Sequence, residues 1–350
     1  MNNSALSPCR LNSRPFGQID KQTATLWTLS NGNNMQVSIM DFGAIITSIQ
    51  YPDRQGKKTE CVLGFNEASD YVSPNYRAHN PHLGGLIGRH AGRISFAQAP
   101  LHQKLIHLSQ NLGQHHIHGG FKGFDQQWWT YIHSHADQQQ TSLTLYLHSA
   151  DGEEGYTGNL HVWVCYTLNQ NNEFSITISA ESDQDTFFNP TQHSYFNLSA
   201  HEPFIDQHKL YLASNQILAT DQHMLPDGKI ITAPKILDFR QPHIIGQANI
   251  DTAFVLTQPA NLQKDQAALS AVDSGIVLKV RTDAPILVVY NSAHLLHMNI
   301  TNRSNLAPFA AICFEPQGYS DAPNHSNFPN NLLLAGDTFR QHIVYAFESC

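Results

Sequence analysis

Apolar and polar residues alternate with a period of two along much of this chain. The clearest segments are residues 143–148 (LTLYLH), 161–168 (HVWVCYTL) and 174–180 (FSITISA), and clusters of Asp, Gly and Asn separate them. Successive side chains of a strand point to opposite faces, so this pattern is typical of antiparallel strands with one solvated face. Further strands are predicted at residues 35–40, 61–65, 276–281, 286–290, 310–314 and 342–347.

Helical periodicity is nearly absent. The best candidate covers residues 261–272, an Ala- and Gln-rich stretch that can equally be interpreted as part of a loop insertion at residues 258–274. No repeat of fixed period and no Pro- or Ser-rich linker divides the chain. We therefore predict an all-β fold with few or no helices, in which residues 1–350 form one large antiparallel β-sandwich domain. Residues 1–15 are expected to be a loose N-terminal extension.

The amino-acid composition indicates which kinds of molecule the protein can bind. Charged residues make up only 14% of the chain, so amides, hydroxyls and imidazoles supply much of the polar surface, which suits an uncharged, sugar-like ligand. The net charge of −8 and the lack of a Lys/Arg cluster argue against nucleic acid. The five cysteines are scattered and form no CxxC pair, which indicates free thiols in a reducing compartment. With no apolar run approaching a membrane span and no signal-peptide core at the N-terminus, we predict a cytoplasmic protein without a membrane partner.

Two separate stretches offer acid–base chemistry. His193 lies in NPTQHSYFNL, where amides, hydroxyls and aromatic rings surround it, and it is either a satisfied structural histidine or a general acid. Glu315 follows the apolar run AAICF directly, and partial desolvation at the end of a buried strand would raise its pKa and make it a better base. The alternative for Glu315 is a solvated carboxylate at a strand end.

Three further motifs have competing interpretations. HHIHGG supplies His115, His116 and His118, which suggest a cupin-type metal site, an exposed polar turn, or a single functional His118. GRHAGRI offers an arginine that either binds hydroxyls with its rigid fork of donors or lies at the surface beside a turn. DGEEGYTG lacks the alternating ligands of a calcium loop, so a structural turn is favoured.

Taken in order, these motifs resemble the aldose 1-epimerase family, the galactose mutarotases, over nearly the whole chain. The resemblance rests on GFNEASDY, LIGRHAGRI, IHGGFKGFDQQWW, DGEEGYTG, HSYFNL, IDTAF and EPQGYSDAPN. It implies a β-supersandwich and a reaction without cofactor or metal that interconverts the α and β anomers of a free aldose such as glucose or galactose. It also implies residue roles: sugar binding for Arg93, His118 and Asp251, the acid for His193 and the base for Glu315.

The chain departs from the family pattern at two positions. The family often has Asn immediately before the sugar-binding arginine, where this chain has Gly92, and often has Gln where this chain has Val288. Both changes remove contacts to sugar hydroxyls, so they bear on the preferred sugar more than on the reaction. Two alternatives therefore stay open: a non-catalytic sugar-binding or sensor protein on the same fold, and a metal-dependent cupin-like enzyme. Tyr319 and the pair Trp128–Trp129 are candidates for stacking on a sugar, although core packing is favoured for the tryptophans. We expect a monomer or a weak homodimer.

Overall fold

Antiparallel strands make up most of the computed structural model, which describes residues 7–256, 261–295, 297–300, 302 and 307–350. Every pairing between the strands named below is antiparallel. In the described part of the chain the one α-helix is Pro74–His79 (α1), and no helix there is long and apolar enough to cross a membrane. The predicted all-β sandwich is therefore confirmed.

The strands are numbered in chain order. Those of the first half are β1 Arg10–Ile19, β2 Gln22–Ser30, β3 Gln36–Met40, β4 Ile45–Pro52, β5 Lys58–Glu60, β6 Leu86–Ile87, β7 Arg93–Ile94, β8 Gln98–Leu101, β9 Lys104–His107, β10 His116–Ile117, β11 Thr130–Ala136, β12 Gln140–Ser149, β13 Leu160–Asn169 and β14 Glu173–Ser182. Those of the second half are β15 Thr186–Phe187, β16 Thr191–Gln192, β17 Tyr195–Phe196, β18 Lys209–Leu212, β19 Gln216–Thr220, β20 Pro226–Thr232, β21 His243–Ile244, β22 Asp251–Val255, β23 Ala267–Ser270, β24 Ile276–Thr282, β25 Ile286–Tyr290, β26 Ile312–Gln317, β27 Leu332–Leu333 and β28 Thr338–Ser349. Short 3₁₀ turns lie at Ala68–Val72, Ser95–Ala97, Phe124–Gln126, Glu153–Gly155, Lys235–Leu237 and Ala322–Asn324.

Three sheets enclose the main hydrophobic core. The largest has nine strands in the order β11-β12-β13-β14-β28-β24-β23-β18-β21, the second has six in the order β17-β26-β25-β22-β19-β20, and the third contains β1 to β5 in sequence order. Ile39, Leu145, Phe254 and Phe314 represent all three sheets in one contiguous buried cluster. Burial alternates strictly along β13, as expected for a strand with one solvated face.

The N-terminal prediction is wrong for residues 10–15. These residues belong to β1, which pairs with β2 from Arg10 opposite Ser30 onwards. Most of β1 is exposed and polar, so its hydrophobic pattern is weak, but an edge strand needs little apolar surface when its backbone pairs with a neighbour. Residues 1–6 lie outside the described residues.

The candidate helix at residues 261–272 does not form, and the alternative of a loop insertion is also wrong for part of this stretch. Residues 267–270 form β23, which lies between β18 and β24 inside the nine-stranded sheet. Ala267, Leu269 and Ala271 are buried at every second position, which is the period of a strand. Residues 258–260 of the predicted insertion lie outside the described residues.

The strand predicted at residues 310–314 lies further along the chain. β26 begins at Ile312 and continues to Gln317, so Glu315 is inside the strand and not in a loop after it. Pro316 has no N–H to donate, but its position opposite Leu287 keeps the chain extended, and its carbonyl accepts a hydrogen bond from Gln341 Nε2 at 3.0 Å. Glu315 is consequently held by strand pairing.

Candidate active site

One face of the six-stranded sheet forms the floor of a cleft. Phe254 and Phe314 point from β22 and β26 into the main core, so the residues on either side of each point the opposite way. Glu315 of β26 lies opposite Val288 of β25, and Asp251 of β22 lies on the same face in the adjacent row of paired residues. Strand register therefore brings two carboxyl groups that are 64 positions apart in the chain to one surface.

The cleft has a volume of about 1330 Å³, and all five residues assigned by the family resemblance line it. Loops from other parts of the chain build its walls around the sheet. Beyond Arg93, His118, His193, Asp251 and Glu315, polar residues that line it include Asn80, His82, Asn111, Gln126, His294, Gln317 and Ser320. A polar cleft of this size accommodates a small polyhydroxylated ligand.

Arg93 lies in β7, and His118 directly follows β10, the strand that pairs with β7. The N–H of Gly92 donates to His118 Nδ1 at 3.3 Å, so the proton of the neutral imidazole lies on Nε2. Burial and the neighbouring His82 lower the pKa of His118 well below its usual value, which favours this neutral form. His118 is therefore suited to donate a hydrogen bond from Nε2. Arg93 Nε is buried and has no hydrogen-bond partner among the described residues.

His193 and Glu315 meet directly on the floor of the cleft. His193 Nε2 lies 3.5 Å from Glu315 Oε1, and both side chains are almost completely buried. Burial raises the pKa of Glu315 to about 8, with a further increase from Asp251 and an opposing effect of Arg93. Burial and the nearby His82 lower the pKa of His193 to about 3. The pair therefore holds one proton at neutral pH, and burial favours its location on the carboxyl.

Asp251 also responds to its surroundings. Burial raises the pKa of Asp251, while Arg93 and His294 act in the opposite direction. Asp251 lies opposite Tyr290, which lines the same cleft. A carboxylate here would accept hydrogen bonds from hydroxyl groups.

Sequence reasoning missed two groups at this site. His82 lines the cleft, its ring centre is 4.9 Å from that of His118, and its Nδ1 lies 2.9 Å from Oδ2 of the buried Asp125. No role was assigned to either residue, because their contact depends on how two separate segments fold and not on spacing along the chain. Gln317 also lines the cleft, and it could have been found, since it lies two residues beyond Glu315 on the same face of β26.

The other candidate motifs mostly serve the scaffold. His116 is buried and uses both ring nitrogens, because Nε2 accepts from the Tyr156 hydroxyl at 2.7 Å and Nδ1 donates to the Ser109 carbonyl at 2.8 Å. His115 Nδ1 accepts from the backbone N–H of Phe96. In the part of the chain that the structure describes, neither histidine belongs to a group of possible metal ligands with His118, so the cupin-type site suggested for HHIHGG is not assembled. Among the described residues, the three whose ligand atoms lie together, within 4.8 Å of one another, are His118, His193 and Glu315.

DGEEGYTG is a structural turn, as predicted. Glu154 accepts from the backbone N–H groups of Phe121 and Lys122, and Asp151 accepts from that of Gly158.

The three aromatic candidates for stacking on a sugar have different environments. Trp129 belongs to the main core and Trp128 lines the cleft, whereas Tyr319 packs on Phe328 in a buried cluster.

Comparisons with known proteins show which class of protein has this fold. The model of the aldose 1-epimerase family matches residues 25–346. The aldose 1-epimerase of Haemophilus influenzae is 32% identical, over 97% of this chain and 100% of that protein. The galactose mutarotase of Mus musculus is 30% identical, over 95% of this chain and 97% of that protein. The crystal structure of galactose 1-epimerase from Lactobacillus acidophilus superposes with a TM-score of 0.83 at 27% identity, over 97% of this chain and 99% of that one.

The chain belongs to the aldose 1-epimerase family. It is accordingly an isomerase, an epimerase that acts on carbohydrates, and the resemblance inferred from the sequence is confirmed.

Proposed function

We propose that the protein interconverts the α and β anomers of free aldoses such as glucose or galactose, with His193 as the acid and Glu315 as the base. The observation that carries this proposal is the direct approach of His193 Nε2 to Glu315 Oε1, 3.5 Å, on the floor of a polar cleft. Opening a pyranose requires a proton to leave the C1 hydroxyl while another reaches the ring oxygen. A positioned acid and base each contribute roughly a hundred- to ten-thousand-fold to such transfers.

The single proton of the pair is sufficient for the reaction. With the proton on His193, the Glu315 carboxylate takes the proton of the C1 hydroxyl, C1=O forms as the bond from C1 to the ring oxygen breaks, and His193 protonates that oxygen. The pair then has a protonated Glu315 and a neutral His193, which is the charge state that burial favours. Rotation about the C1–C2 bond presents the other carbonyl face, and the same transfers in reverse close the ring.

Substrate binding assists the first step. Hydroxyls that donate to Glu315 favour its ionised form, as does Arg93, so a bound sugar moves the proton towards His193. Arg93 and His118 would hold sugar hydroxyls or the ring oxygen, and Asp251 would accept from distal hydroxyls. The unpartnered Arg93 Nε is consistent with a ligand that supplies acceptors.

The test is optical rotation after addition of fresh α-D-glucose, α-D-galactose, arabinose or xylose. We expect acceleration over buffer with at least one sugar, and its loss in His193→Gln. His133→Gln is the matched control, because His133 is exposed on β11 and lies outside the cleft. No acceleration with any of the four sugars would overturn the proposal, and calorimetric binding without anomer conversion would support the sugar-sensor alternative in its place.

A further inference from the structure

Gln317 is a buried amide that is only half satisfied. The residue is 1% exposed, and its Nε2 donates to Ser320 Oγ at 3.0 Å. Its Oε1 is buried and accepts no hydrogen bond from any residue that the structure describes. Buried polar atoms rarely lack a partner in a folded protein, so an acceptor in this position needs a donor from elsewhere. Both Gln317 and Ser320 line the cleft, which is where that donor would enter.

Gly92 makes room for this pair. A Cβ atom at position 92 would lie 2.2 Å from Ser320 Oγ and 3.2 Å from Gln317 Nε2, and the backbone there has a φ of +75°. Any side chain at position 92 would therefore collide with the Ser320 hydroxyl and strain the backbone. The space that a side chain at position 92 would occupy is thus filled by Ser320, so the glycine does not leave an empty subsite.

The pair lies on a different side of Glu315 from Asp251. Strand pairing places Gln317 level with Ile286, Glu315 level with Val288, and Asp251 level with Tyr290. Glu315 is therefore in the middle row, with Asp251 in one outer row and Gln317 in the other. Gln317 is about 7 Å along β26 from Glu315, because a strand rises roughly 3.4 Å per residue. A sugar whose C1 hydroxyl meets Glu315 would consequently present a different hydroxyl to each outer row.

We propose that Gln317 and Ser320 form a neutral subsite that binds a non-anomeric sugar hydroxyl and helps to select the aldose. Gln317 Oε1 accepts the hydroxyl proton, and Ser320, whose oxygen already accepts from Gln317 Nε2, donates its own proton to a sugar oxygen. The inference rests on the proposed function for the identity of the ligand as an aldose. It assigns specificity to two side chains that take no part in proton transfer.

The test compares wild type with Gln317→Leu, which keeps the approximate size of the side chain and removes the amide. We expect KM for the preferred aldose to rise about tenfold while kcat changes less than about threefold, since one hydrogen bond to a neutral partner is lost. The same comparison with 2-deoxy, 3-deoxy, 4-deoxy and 6-deoxy derivatives identifies the hydroxyl. For the derivative that lacks this hydroxyl, wild type should already have a raised KM, and Gln317→Leu should raise it no further.

Two more variants separate a subsite from a packing role. Ser320→Ala should raise KM about threefold with the same deoxy-sugar preference. Gly92→Ala should raise KM because its Cβ displaces Ser320. In the double variant Gly92→Ala/Ser320→Gly the clash is removed, so its KM should be no higher than that of Gly92→Ala. An equal loss with every deoxy sugar, or a loss in kcat with KM unchanged, would show that the pair is structural and overturn the inference.

Calorimetric titration with the same sugars distinguishes failure of this inference from failure of the proposed function. If wild type binds a sugar without converting it, the proposed function fails, and weaker binding by Gln317→Leu still supports the subsite. Equal binding by wild type and Gln317→Leu overturns the subsite alone. If wild type neither binds nor converts any sugar, both proposals fail.

Discussion

Two arginines from the same seven-residue motif have opposite environments. Arg89 is 2% exposed, and its guanidinium donates to the carbonyls of Ser149, Ala150, Thr157 and Gly158 at 2.8 to 3.0 Å and to the Ser149 hydroxyl at 2.9 Å. Arg93, four residues later, lines the cleft with its Nε unpartnered among the described residues. Arg89 finds its hydrogen-bond acceptors within the protein and therefore stabilises the fold. Arg93 keeps a donor without an acceptor and is therefore available to a ligand.

His116, the first residue of β10, and His118, which follows the strand, show the same contrast. Both ring nitrogens of His116 are bonded within the protein, whereas His118 uses Nδ1 alone in the described structure and borders the cleft. Residues of the same type thus differ in whether all their polar atoms are paired within the protein, as in the structural residues, or some are left for a ligand, as in the cleft. Substitutions at both kinds of residue test this difference.

The largest effect is expected at the base. Glu315→Gln should lower kcat by about a hundred- to ten-thousand-fold, because the amide cannot take the C1 proton. Optical rotation under saturating sugar measures this loss. Activity within about tenfold of wild type would remove Glu315 as the base.

The same variant should be more stable than wild type at neutral pH. The folded-state pKa of Glu315, about 8, is above its ordinary value of 4.5, so its contribution to stability is fully present below about pH 4.5 and is lost as pH rises through about 8. Glutamine has no such loss, and the gain should be roughly 3 kcal/mol at pH 7 and vanish near pH 4. Denaturant unfolding at both pH values checks this, and a gain independent of pH would contradict it.

The two arginines should fail in different ways. Arg89→Met should cost about 3–5 kcal/mol of unfolding free energy, because it leaves several buried carbonyls unpaired, while the folded fraction keeps its kcat/KM. Arg93→Met should keep its stability and lose about ten- to a hundred-fold in kcat/KM. Denaturant unfolding and rotation assays on both variants measure the contrast. If Arg89→Met does not fold, Arg89→Lys, which retains the charge and loses the fork, should show a smaller loss of stability.

Activity should be highest between the two pKa values of the acid–base pair. Above about pH 8 the pair loses its only proton, and kcat/KM should fall about tenfold per pH unit after subtraction of the buffer rate. Asp251 raises the pKa of Glu315, so removal of its charge in Asp251→Asn should move this limb to lower pH. Activity that instead reached a plateau in alkali would indicate that no acid is needed.

The smallest effect is expected at His116. His116→Gln should cost about 1–2 kcal/mol in stability, because the partners of the two ring nitrogens lose good geometry, with kcat/KM within about twofold of wild type. His118→Gln should show the reverse pattern, with unchanged stability and a clear loss of kcat/KM. Equal behaviour of the two variants would break the comparison.

The fold was largely predictable because the period-two pattern is strong wherever a strand has one buried face, as in β13 and β14. The prediction was wrong where the hydrophobic pattern is weak or interrupted and pairing with a neighbouring strand keeps the chain extended. β1 is mostly exposed, and β26 continues through Pro316 because Leu287 lies opposite. Local propensity cannot reveal such tertiary support.

Local sequence made His118, His193 and Glu315 candidates, but the family resemblance assigned the roles of all five cleft residues, since spacing along the chain does not show that His193 and Glu315 meet. Gln317 was accessible to the same alternation that places Glu315 in the cleft. His82 was not, because its contact with Asp125 depends on how two loops approach each other. Cleft residues on strands could thus be predicted from the sequence, whereas contacts between loops could not.

The strands beneath the cleft carry reactive groups on one side and core residues on the other. Phe254 and Phe314 seal the interior from the same strands that display Asp251 and Glu315. A shift of one residue in pairing would turn Glu315 inward and Phe314 outward, so folding errors and catalytic errors are linked. Changes of substrate preference should therefore be easier at Ser320, which lines the cleft from beyond the end of β26, than at strand residues whose neighbours fill the interior.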